Sequence, residues 1–278
     1  MKILKLVAIF LSILTIYQGC KDAPTRNEII TYSEKTNKKI FIIGDSTVHN
    51  TKYKDDVWIS KGWGDELSKY LKKPKNLQNL AEPGASSKSY KYRNEDLEYD
   101  GWFHNWYQTK EIIENSDISD GGYLLIQFGH NDKPYYNPDN SIHTKPGAYN
   151  SFYNELKEYI DYAKNAKLTP ILITPVERMH KEEGSLLYSS HITDLGDYAE
   201  TIRVLSKNED ISLLDLQSRS WSEFNNYKNS YELTQTFGYK DDDLVHFSPQ
   251  GANLVAKMII ELICDLEDAK LCLEFNAP

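Results

Sequence analysis

The chain has 278 residues, of which 40% are hydrophobic and 26% charged, which is typical of one large globular domain or two small ones. Its formal net charge of −9 excludes nucleic-acid binding through a basic surface. The three cysteines and seven histidines form no clustered ligand spacing, so the sequence predicts no metal site.

The N-terminal residues have the pattern of an export signal. Two lysines precede an apolar run from Leu6 to Tyr17, which is shorter than the ~20 residues that a membrane-spanning helix needs. Cys20 follows a small residue, as in the lipidation site of bacterial lipoproteins. We therefore expect a signal peptide over residues 1–19 and a lipidated polar tether over residues 20–38. A plain secretory signal with an incidental cysteine is the alternative.

This N-terminal pattern predicts an exported protein of the bacterial cell envelope, periplasmic or surface-exposed. The lipid anchor at Cys20 is then the only predicted contact with the membrane. The sequence leaves the oligomeric state open.

The rest of the chain alternates short apolar runs with amphipathic segments. Runs apolar on both faces are typical of buried parallel strands, and the segments between them have helical periodicity. This alternation predicts a single α/β domain over residues 39–278, with helices on both faces of a parallel sheet. Strands are predicted at 39–43, 77–81, 123–128, 168–174 and 211–216, helices at 149–163, 195–205 and 254–263, and a long loop with a helix at 87–118.

Two signals of local structure accompany the C-terminal helix. Ser248 is a predicted N-cap, and Pro249 suits the first helical position. Cys264 and Cys272 lie near the end of this helix, and an exported compartment would permit a disulfide between them. From the sequence, a disulfide and two free thiols are equally consistent.

Polar residues follow the predicted strands at the points where the strands end. Ligands of open α/β sheets bind outside the carboxyl ends of the strands, so these residues are expected to share one site. The segments are Gly44–Thr47, Asn79–Ser86 and Gly129–Asp132, together with Asp243–His246 directly before the last helix.

These segments supply what acyl transfer requires. Ser46 is a candidate nucleophile, His246 can accept its proton, and Asp243 can orient the imidazole. The oxyanion of the tetrahedral intermediate needs preorganised donors. The candidates are the backbone N–H groups of Ser46 and Gly84, where a missing Cβ would permit close approach, and the side-chain amide of Asn131.

Other interpretations of the same residues are open. Ser46 could cap a helix after the first strand. Asp45, Asp132, Asp243 and His246 could hold a metal ion, but the serine, glycine and asparagine would then have no role. We interpret Asp45 and Asp132 as supporting residues whose carboxylates bind local groups.

The four segments, in this order, resemble the SGNH (GDSL-like) hydrolase superfamily, which is named for its Ser, Gly, Asn and His. The matching residues are Ser46, Gly84, Asn131 and His246. The resemblance implies a flavodoxin-like three-layer α/β/α sandwich with about five parallel strands. It also implies a Ser-His-Asp triad completed by Asp243, the oxyanion hole described above, and no cofactor.

Several strings resemble rhamnogalacturonan acetylesterases, carbohydrate esterases that remove acetyl groups from the pectin backbone. The sequence departs from that family at 82–85, where EPGA replaces a small residue followed by Gly-Arg, and at 90–109, which is longer than expected. The resemblance implies an acetylated polysaccharide or oligosaccharide as the partner. The strings are GDST at 44–47, GWG at 62–64, FGHND at 128–132, TPVER at 174–178 and VHFSPQGA at 245–252.

Two rival functions fit the same segments. One is the same chemistry on another ester, such as acetylated xylan, a short acyl ester or an aryl ester. The other is a surface glycan-binding protein that has lost turnover. A substrate panel and covalent labelling of the serine distinguish them.

Three further residues are candidate substrate contacts. Trp102 and Trp106, in the long 90–109 stretch, are predicted to stack on sugars, whereas Trp63 is predicted to pack at a helix start. Arg178 could pair with a uronate carboxylate, and a surface salt bridge is the equal alternative.

Overall fold

The computed structural model describes residues 37–52, 58–92, 106–133, 147–183 and 195–276. Five of the seven strands found there form one parallel sheet, and the other two form a short antiparallel pair. The strands are β1 (Lys39–Ile43), β2 (Thr51–Lys52), β3 (Trp58–Ser60), β4 (Leu77–Asn79), β5 (Gly122–Ile126), β6 (Leu168–Ile173) and β7 (Ser212–Leu214).

The sheet has the strand order β4-β1-β5-β6-β7, with β2 and β3 forming the separate pair. In its register, Ile40 of β1 pairs with Leu77 on one side and with Tyr123 on the other. This is the flavodoxin-like order, in which the winding reverses between β1 and β5. Ligands of such sheets bind in the crevice at that reversal, which is where Ser46 and Asn131 follow their strands.

Helices cover both faces of the sheet and enclose two separate cores. Alternate residues of β1 face opposite sides: Ile40 and Ile42 belong to one core, Phe41 and Ile43 to the other. Burial on both faces explains why the strands are continuously apolar. The described helices are α1 (Trp63–Leu67), α2 (Ser87–Tyr92), α3 (Trp106–Glu114), α4 (Tyr153–Asn165), α5 (Gly196–Glu209), α6 (Leu216–Phe224), α7 (Ser230–Thr236) and α8 (Pro249–Cys264).

The two cores divide these helices between the two layers. Helices α1, α6, α7 and α8 contribute to the first core, and α2, α3, α4 and α5 to the second. The three-layer α/β/α sandwich with a five-stranded parallel sheet is therefore confirmed.

Most predicted elements are present, with shifted ends. Helix α4 begins at Tyr153, after a π-helical turn over Ala148–Phe152, and the described parts of the 87–118 stretch hold the helices α2 and α3. The Ser248 cap is confirmed, since its Oγ accepts the N–H of Gly251 at 3.1 Å and Pro249 is the first residue of α8. Strand β1 has the predicted bounds, whereas the other four predicted strands were too long at their carboxyl ends, because the chain leaves the sheet there to form loops.

The C-terminal segment is held by a disulfide between Cys264 and Cys272. Of the two thiol states that the sequence left open, the structure therefore has the disulfide. It joins the end of α8 to a 3₁₀ turn over Ala269–Glu274. The segment then pairs with the chain before β4, where the N–H of Lys72 donates to the carbonyl of Glu274 at 2.9 Å.

The predicted signal peptide, Cys20 and all of the tether except residues 37 and 38 lie outside the described residues. Of the helices that the structure describes, none has both the length and the apolar character required to cross a membrane.

Candidate active site

Ser46 lies in a tight turn directly after β1. The main-chain carbonyl of Asp45 accepts the N–H groups of Val48 at 3.0 Å and His49 at 3.1 Å, which closes the turn. The Ser46 residue is only 7% exposed. Residues 47–52 form the rest of this turn and strand β2, with no helix among them, so the interpretation of Ser46 as a helix cap is wrong.

Four buried side chains, linked by hydrogen bonds, lie behind this turn. Asp45 Oδ1 accepts the backbone N–H of Thr47 at 2.9 Å and its hydroxyl at 2.7 Å. Gln127 Nε2 donates to Thr47 Oγ1 at 2.7 Å, and Trp63 Nε1 donates to Gln127 Oε1 at 2.9 Å. Burial raises the pKa of Asp45, although the Thr47 bonds oppose that shift. All four side chains are fully buried, so the series holds the turn in one conformation.

The GWG string at 62–64 is explained by close backbone approach. The N–H groups of Trp63 and Gly64 donate to the carbonyls of Thr47 and Val48 at 3.1 and 2.9 Å. A Cβ added at Gly62 would lie 2.2 Å from the Val48 carbonyl carbon, a distance that real side chains do not adopt. The predicted packing of Trp63 at a helix start is confirmed, since it is the first residue of α1 and fully buried.

Ser46, His246 and Asp243 form a continuous hydrogen-bonded series. Ser46 Oγ lies 2.9 Å from His246 Nε2, and His246 Nδ1 lies 2.9 Å from Asp243 Oδ2. Asp243 Oδ1 also accepts the backbone N–H groups of His246 at 2.9 Å and Val245 at 3.0 Å. Burial raises the pKa of Asp243, but the His246 and Val245 bonds outweigh it and lower that pKa to about 2.

Two neighbouring segments place the Asp243–His246 loop beside the sheet. The N–H of Met179 donates to the carbonyl of Leu244 at 2.9 Å, which anchors the loop to the chain after β6. Phe247 is fully buried, so His246, the residue before it in this extended segment, points away from that core. The imidazole is thereby aimed at a hydroxyl 200 positions away in sequence.

Gly84 lies in the loop after β4, beside the Ser46 turn. The N–H of Glu82 donates to the carbonyl of Gly44 at 2.9 Å, which joins this loop to the end of β1. Gly84 has φ of +77°, in the left-handed region that favours glycine. An added Cβ there would meet no protein atom within 4 Å, so within the protein it is the backbone conformation that favours glycine at this position.

Asn131 and Asp132 join the loop after β5 to the Gly84 loop. Asn131 Nδ2 donates to the carbonyl of Ala85 at 3.2 Å. Asp132 is fully buried, and its Oδ1 accepts the N–H and the hydroxyl of Ser87 at 2.9 and 2.5 Å. The structure therefore brings together the three loops that carry the predicted oxyanion donors.

His130 is a buried neutral side chain between these loops. It is 7% exposed. Burial, followed by the positive charges of Arg178 and Lys133, lowers its pKa to about 3. These two cations therefore lie near the loop that carries Asn131.

Trp106 is not available as a sugar contact. It begins α3 and is 9% exposed, with its ring centroid 4.7 Å from that of Tyr159 and 4.9 Å from that of Tyr162. The prediction for Trp106 was wrong because the indole fills an aromatic cluster of the second core. Trp102 lies outside the described residues.

The metal interpretation finds no geometric support in the part of the chain that the structure describes. No group of three or more histidine, cysteine or carboxylate side chains there could hold an ion. Asp45 and Asp132 instead bind Thr47 and Ser87, and Asp243 binds the imidazole.

Sequence reasoning missed the series behind the Ser46 turn. The sequence pattern places Gln127 in a predicted strand and Thr47 in the GDST string, and assigns neither a role in the site. A polar residue within an otherwise apolar run was the available signal for Gln127, because a buried amide must find hydrogen-bond partners.

Comparisons with known proteins agree with this geometry. The model of the GDSL-like lipase/acylhydrolase family matches residues 40–259. The chain is 30% identical over 229 residues to probable rhamnogalacturonan acetylesterase YesY of Bacillus subtilis strain 168, covering 82% of this chain and 93% of that protein. It is 29% identical over 238 residues to rhamnogalacturonan acetylesterase RhgT of the same organism, covering 82% and 90%.

Solved structures show the same fold. Protein YXIM_BACsu of Bacillus subtilis superposes with a TM-score of 0.61 at 25% identity; the match covers 82% of this chain and 56% of that one, so this chain spans little more than half of its length. LAE5, an alpha/beta hydrolase enzyme from the metagenome of Lake Arreo, superposes with a TM-score of 0.53 at 16% identity, covering 87% and 98%. With its family model matched over most of its length, the chain belongs to the GDSL-like lipase/acylhydrolase family.

Proposed function

We propose that this protein is a serine esterase that removes O-acetyl groups from a plant cell-wall polysaccharide, with pectic rhamnogalacturonan as the substrate. The observation that carries the proposal is the continuous series from Ser46 Oγ through His246 to Asp243, with 2.9 Å at each step. The two Bacillus subtilis relatives, both named as rhamnogalacturonan acetylesterases, support the choice of substrate.

The protonation states follow from the geometry. Asp243, with a pKa of about 2, is an ionised acceptor at neutral pH, so His246 Nδ1 carries the proton that it donates. His246 Nε2 then presents a lone pair to the Ser46 hydroxyl. This is the arrangement that lets the imidazole take the serine proton as the nucleophile attacks.

Ser46 Oγ attacks the acetyl carbonyl carbon as its proton passes to His246 Nε2. The carbonyl oxygen becomes an oxyanion, and the proposed donors to it are the N–H groups of Ser46 and Gly84 and the amide of Asn131. The imidazolium that forms is stabilised by the Asp243 carboxylate.

Collapse of the tetrahedral intermediate breaks the bond to the sugar oxygen, which takes the proton from His246. An acetyl group then remains on Ser46. A water molecule, deprotonated by His246, attacks this acyl-enzyme, and acetate leaves as the proton returns to Ser46. Every step uses groups of this chain and water alone.

Local positive charge supports an acidic substrate. The protein is negative overall, yet Arg178 and Lys133 both act on His130, next to Asn131. We propose that Arg178 pairs with a uronate carboxylate of the polysaccharide, since charge-assisted hydrogen bonds to guanidinium are strong. Trp102 remains a proposed contact for the sugar.

Replacing Ser46 with alanine tests the mechanism. We expect acetate release from acetylated rhamnogalacturonan to fall by about 10⁴-fold or more, because the nucleophile is removed. The melting temperature, measured beside it, should change little. A variant that keeps full activity would falsify the mechanism.

A substrate panel separates this function from its rivals. Acetylated rhamnogalacturonan, homogalacturonan and xylan are compared with p-nitrophenyl acetate by kcat/KM, and rhamnogalacturonan is expected to rank first. Covalent labelling of Ser46 by an organophosphate probe addresses the glycan-binding alternative, since a protein without turnover chemistry would not be labelled.

We also propose that the protein is exported and lipidated at Cys20. The Cys264–Cys272 disulfide supports export, because disulfides persist in oxidising compartments. Labelling of cells with a palmitate analogue should mark the protein, and Cys20→Ser should abolish the label. An unlabelled wild-type protein would contradict lipidation.

A further inference from the structure

Tyr239 is paired across a short antiparallel bridge with the proposed catalytic histidine. Gly238 and Phe247 form the bridge, and the N–H of Tyr239 donates to the carbonyl of His246 at 3.0 Å. Tyr239 therefore lies directly opposite His246. Side chains of directly opposite residues share one face, with Cβ atoms about 4.5–5.5 Å apart. Phe247 is buried on the other face, so Tyr239 and His246 share the face that looks away from the core.

The other neighbour of His246 has no side chain. Lys61 also bridges Phe247 in antiparallel sense, which places Gly62 opposite His246 on that side. A Cβ at Gly62 would collide with Val48, so no side chain fits at this position. Of the two residues that flank His246 across these bridges, Tyr239 alone presents a ring.

The Tyr239 backbone is held firmly, while its side chain reaches solvent. The N–H of Gly238 donates to the carbonyl of Thr234 at 2.9 Å, and a Cβ at Gly238 would lie 2.8 Å from that carbonyl oxygen. The segment is thus pinned between the end of α7 and His246. Phe237 is 1% exposed, whereas Tyr239 is 38% exposed. A large ring on fixed backbone loses little conformational freedom when a ligand binds.

We propose that Tyr239 is a substrate-binding residue, whose ring packs against the apolar C–H face of the sugar that carries the acetyl group or of its neighbour. The inference rests on the proposed esterase function. The tyrosine ring supplies apolar area beside the reacting ester, and its hydroxyl can bond a sugar hydroxyl at the edge. Tyr239 thus takes the role of aromatic platform for which Trp106 is unsuited.

The test compares two substrates that share the chemistry and differ in the sugar. Tyr239→Ala should lower kcat/KM for an acetylated rhamnogalacturonan oligosaccharide about 10-fold, mainly through KM, and leave p-nitrophenyl acetate within about 2-fold. Tyr239→Trp should retain most activity on both. Tyr231→Ala, at a 61% exposed tyrosine of α7, is the matched control and should change neither.

Unchanged kcat/KM of Tyr239→Ala for the oligosaccharide would overturn the inference, and so would an equal loss on both substrates that Tyr239→Trp does not restore. Alanine could disturb the bridge itself and lower kcat/KM equally for both substrates. In that case the inference is supported if Tyr239→Trp restores activity on both substrates and Tyr239→Leu is defective on the oligosaccharide alone. If the wild-type enzyme hydrolyses the aryl ester but no acetylated glycan, both this inference and the proposal of a carbohydrate substrate are overturned. That failure is distinct, because it appears before any variant is made.

Discussion

His130 is buried and Asp243 is half-buried near Ser46, and their surroundings shift their protonation in different directions. Burial opposes the charged form of each. Asp243 accepts bonds from His246 and Val245, which outweigh burial and keep it ionised with a pKa of about 2. His130 has burial and two nearby cations acting against its charge, so its pKa is about 3 and its ring is neutral. The site therefore combines a fixed carboxylate beside the proposed base with an uncharged second imidazole.

The neutral state of His130 makes the fold sensitive to acid. Between the unfolded pKa of 6.5 and the folded pKa of about 3, the unfolded chain binds a proton that the native protein does not. The His130 contribution is thus complete above pH 6.5 and is lost as pH falls, by up to about 1.4 kcal/mol per pH unit. Asp243 adds a loss of the same sign only below pH 3.8, the ordinary pKa of an aspartate.

Urea unfolding of His130→Gln between pH 7.5 and 4.5 checks this expectation. The wild-type free energy of unfolding should fall by about 2 kcal/mol more than that of the variant. His180→Gln, at an exposed histidine, serves as the control and should follow the wild type. Parallel curves for His130→Gln and wild type would show that burial of His130 is not linked to acid stability.

The start of α1 and the Ser46 turn form one packed unit. Trp63 and Gly64 donate to carbonyls of the turn, and Trp63 also ends the side-chain series that leads through Gln127 and Thr47. The turn is therefore positioned by a helix 16 residues further along the chain, as well as by its own strand. A displacement of α1 would move the serine hydroxyl relative to His246 Nε2.

Gly62→Ala should disturb both activity and stability for this reason. The new Cβ would meet the Val48 backbone at 2.2 Å. We expect a loss of about 1–3 kcal/mol in unfolding free energy and, because small misplacement of reacting groups is costly, about 10²-fold in kcat/KM. Gly147→Ala is the matched control, since its Cβ would meet nothing within 4 Å. The idea is wrong if the two variants behave alike in urea unfolding and p-nitrophenyl acetate kinetics.

In the whole fold, the reacting groups lie far from the disulfide that holds the C-terminal segment. Helix α8 begins just after His246 and runs about 24 Å to Cys264, at the other end of the sheet. There the disulfide to Cys272 closes a short loop, and Phe275 pairs with Leu71. The disulfide is therefore expected to stabilise the fold without contacting the candidate active site.

Replacing both cysteines with serine should lower stability and leave catalysis unchanged. The disulfide spans a sequence separation of 8 residues. The chain-entropy relation gives a loss of about 2.5 kcal/mol for a loop of this size, or about 5–10 °C in melting temperature. Differential scanning calorimetry and kcat at 25 °C measure the two effects. A large fall in kcat, or an unchanged melting temperature, would contradict this separation.

Local sequence patterns were sufficient to predict most helices and strands and the order of the polar segments. The apolar run of β1, the periodicity of α4, α5 and α8, and the Ser248 cap depend on residues close in sequence, and topology rules then placed Ser46, Asn131 and His246 at one edge of the sheet. The tertiary structure decided what depends on contacts in the folded chain: Gln127 behind the Ser46 turn, Trp106 inside the second core, the left-handed backbone at Gly84, the disulfide, and Tyr239 opposite His246. Gln127 and Trp106 bind partners far apart along the chain, so their surroundings have no local pattern. The disulfide and the Tyr239 pair join residues close in sequence, but only the path of the folded chain between them decides that they meet.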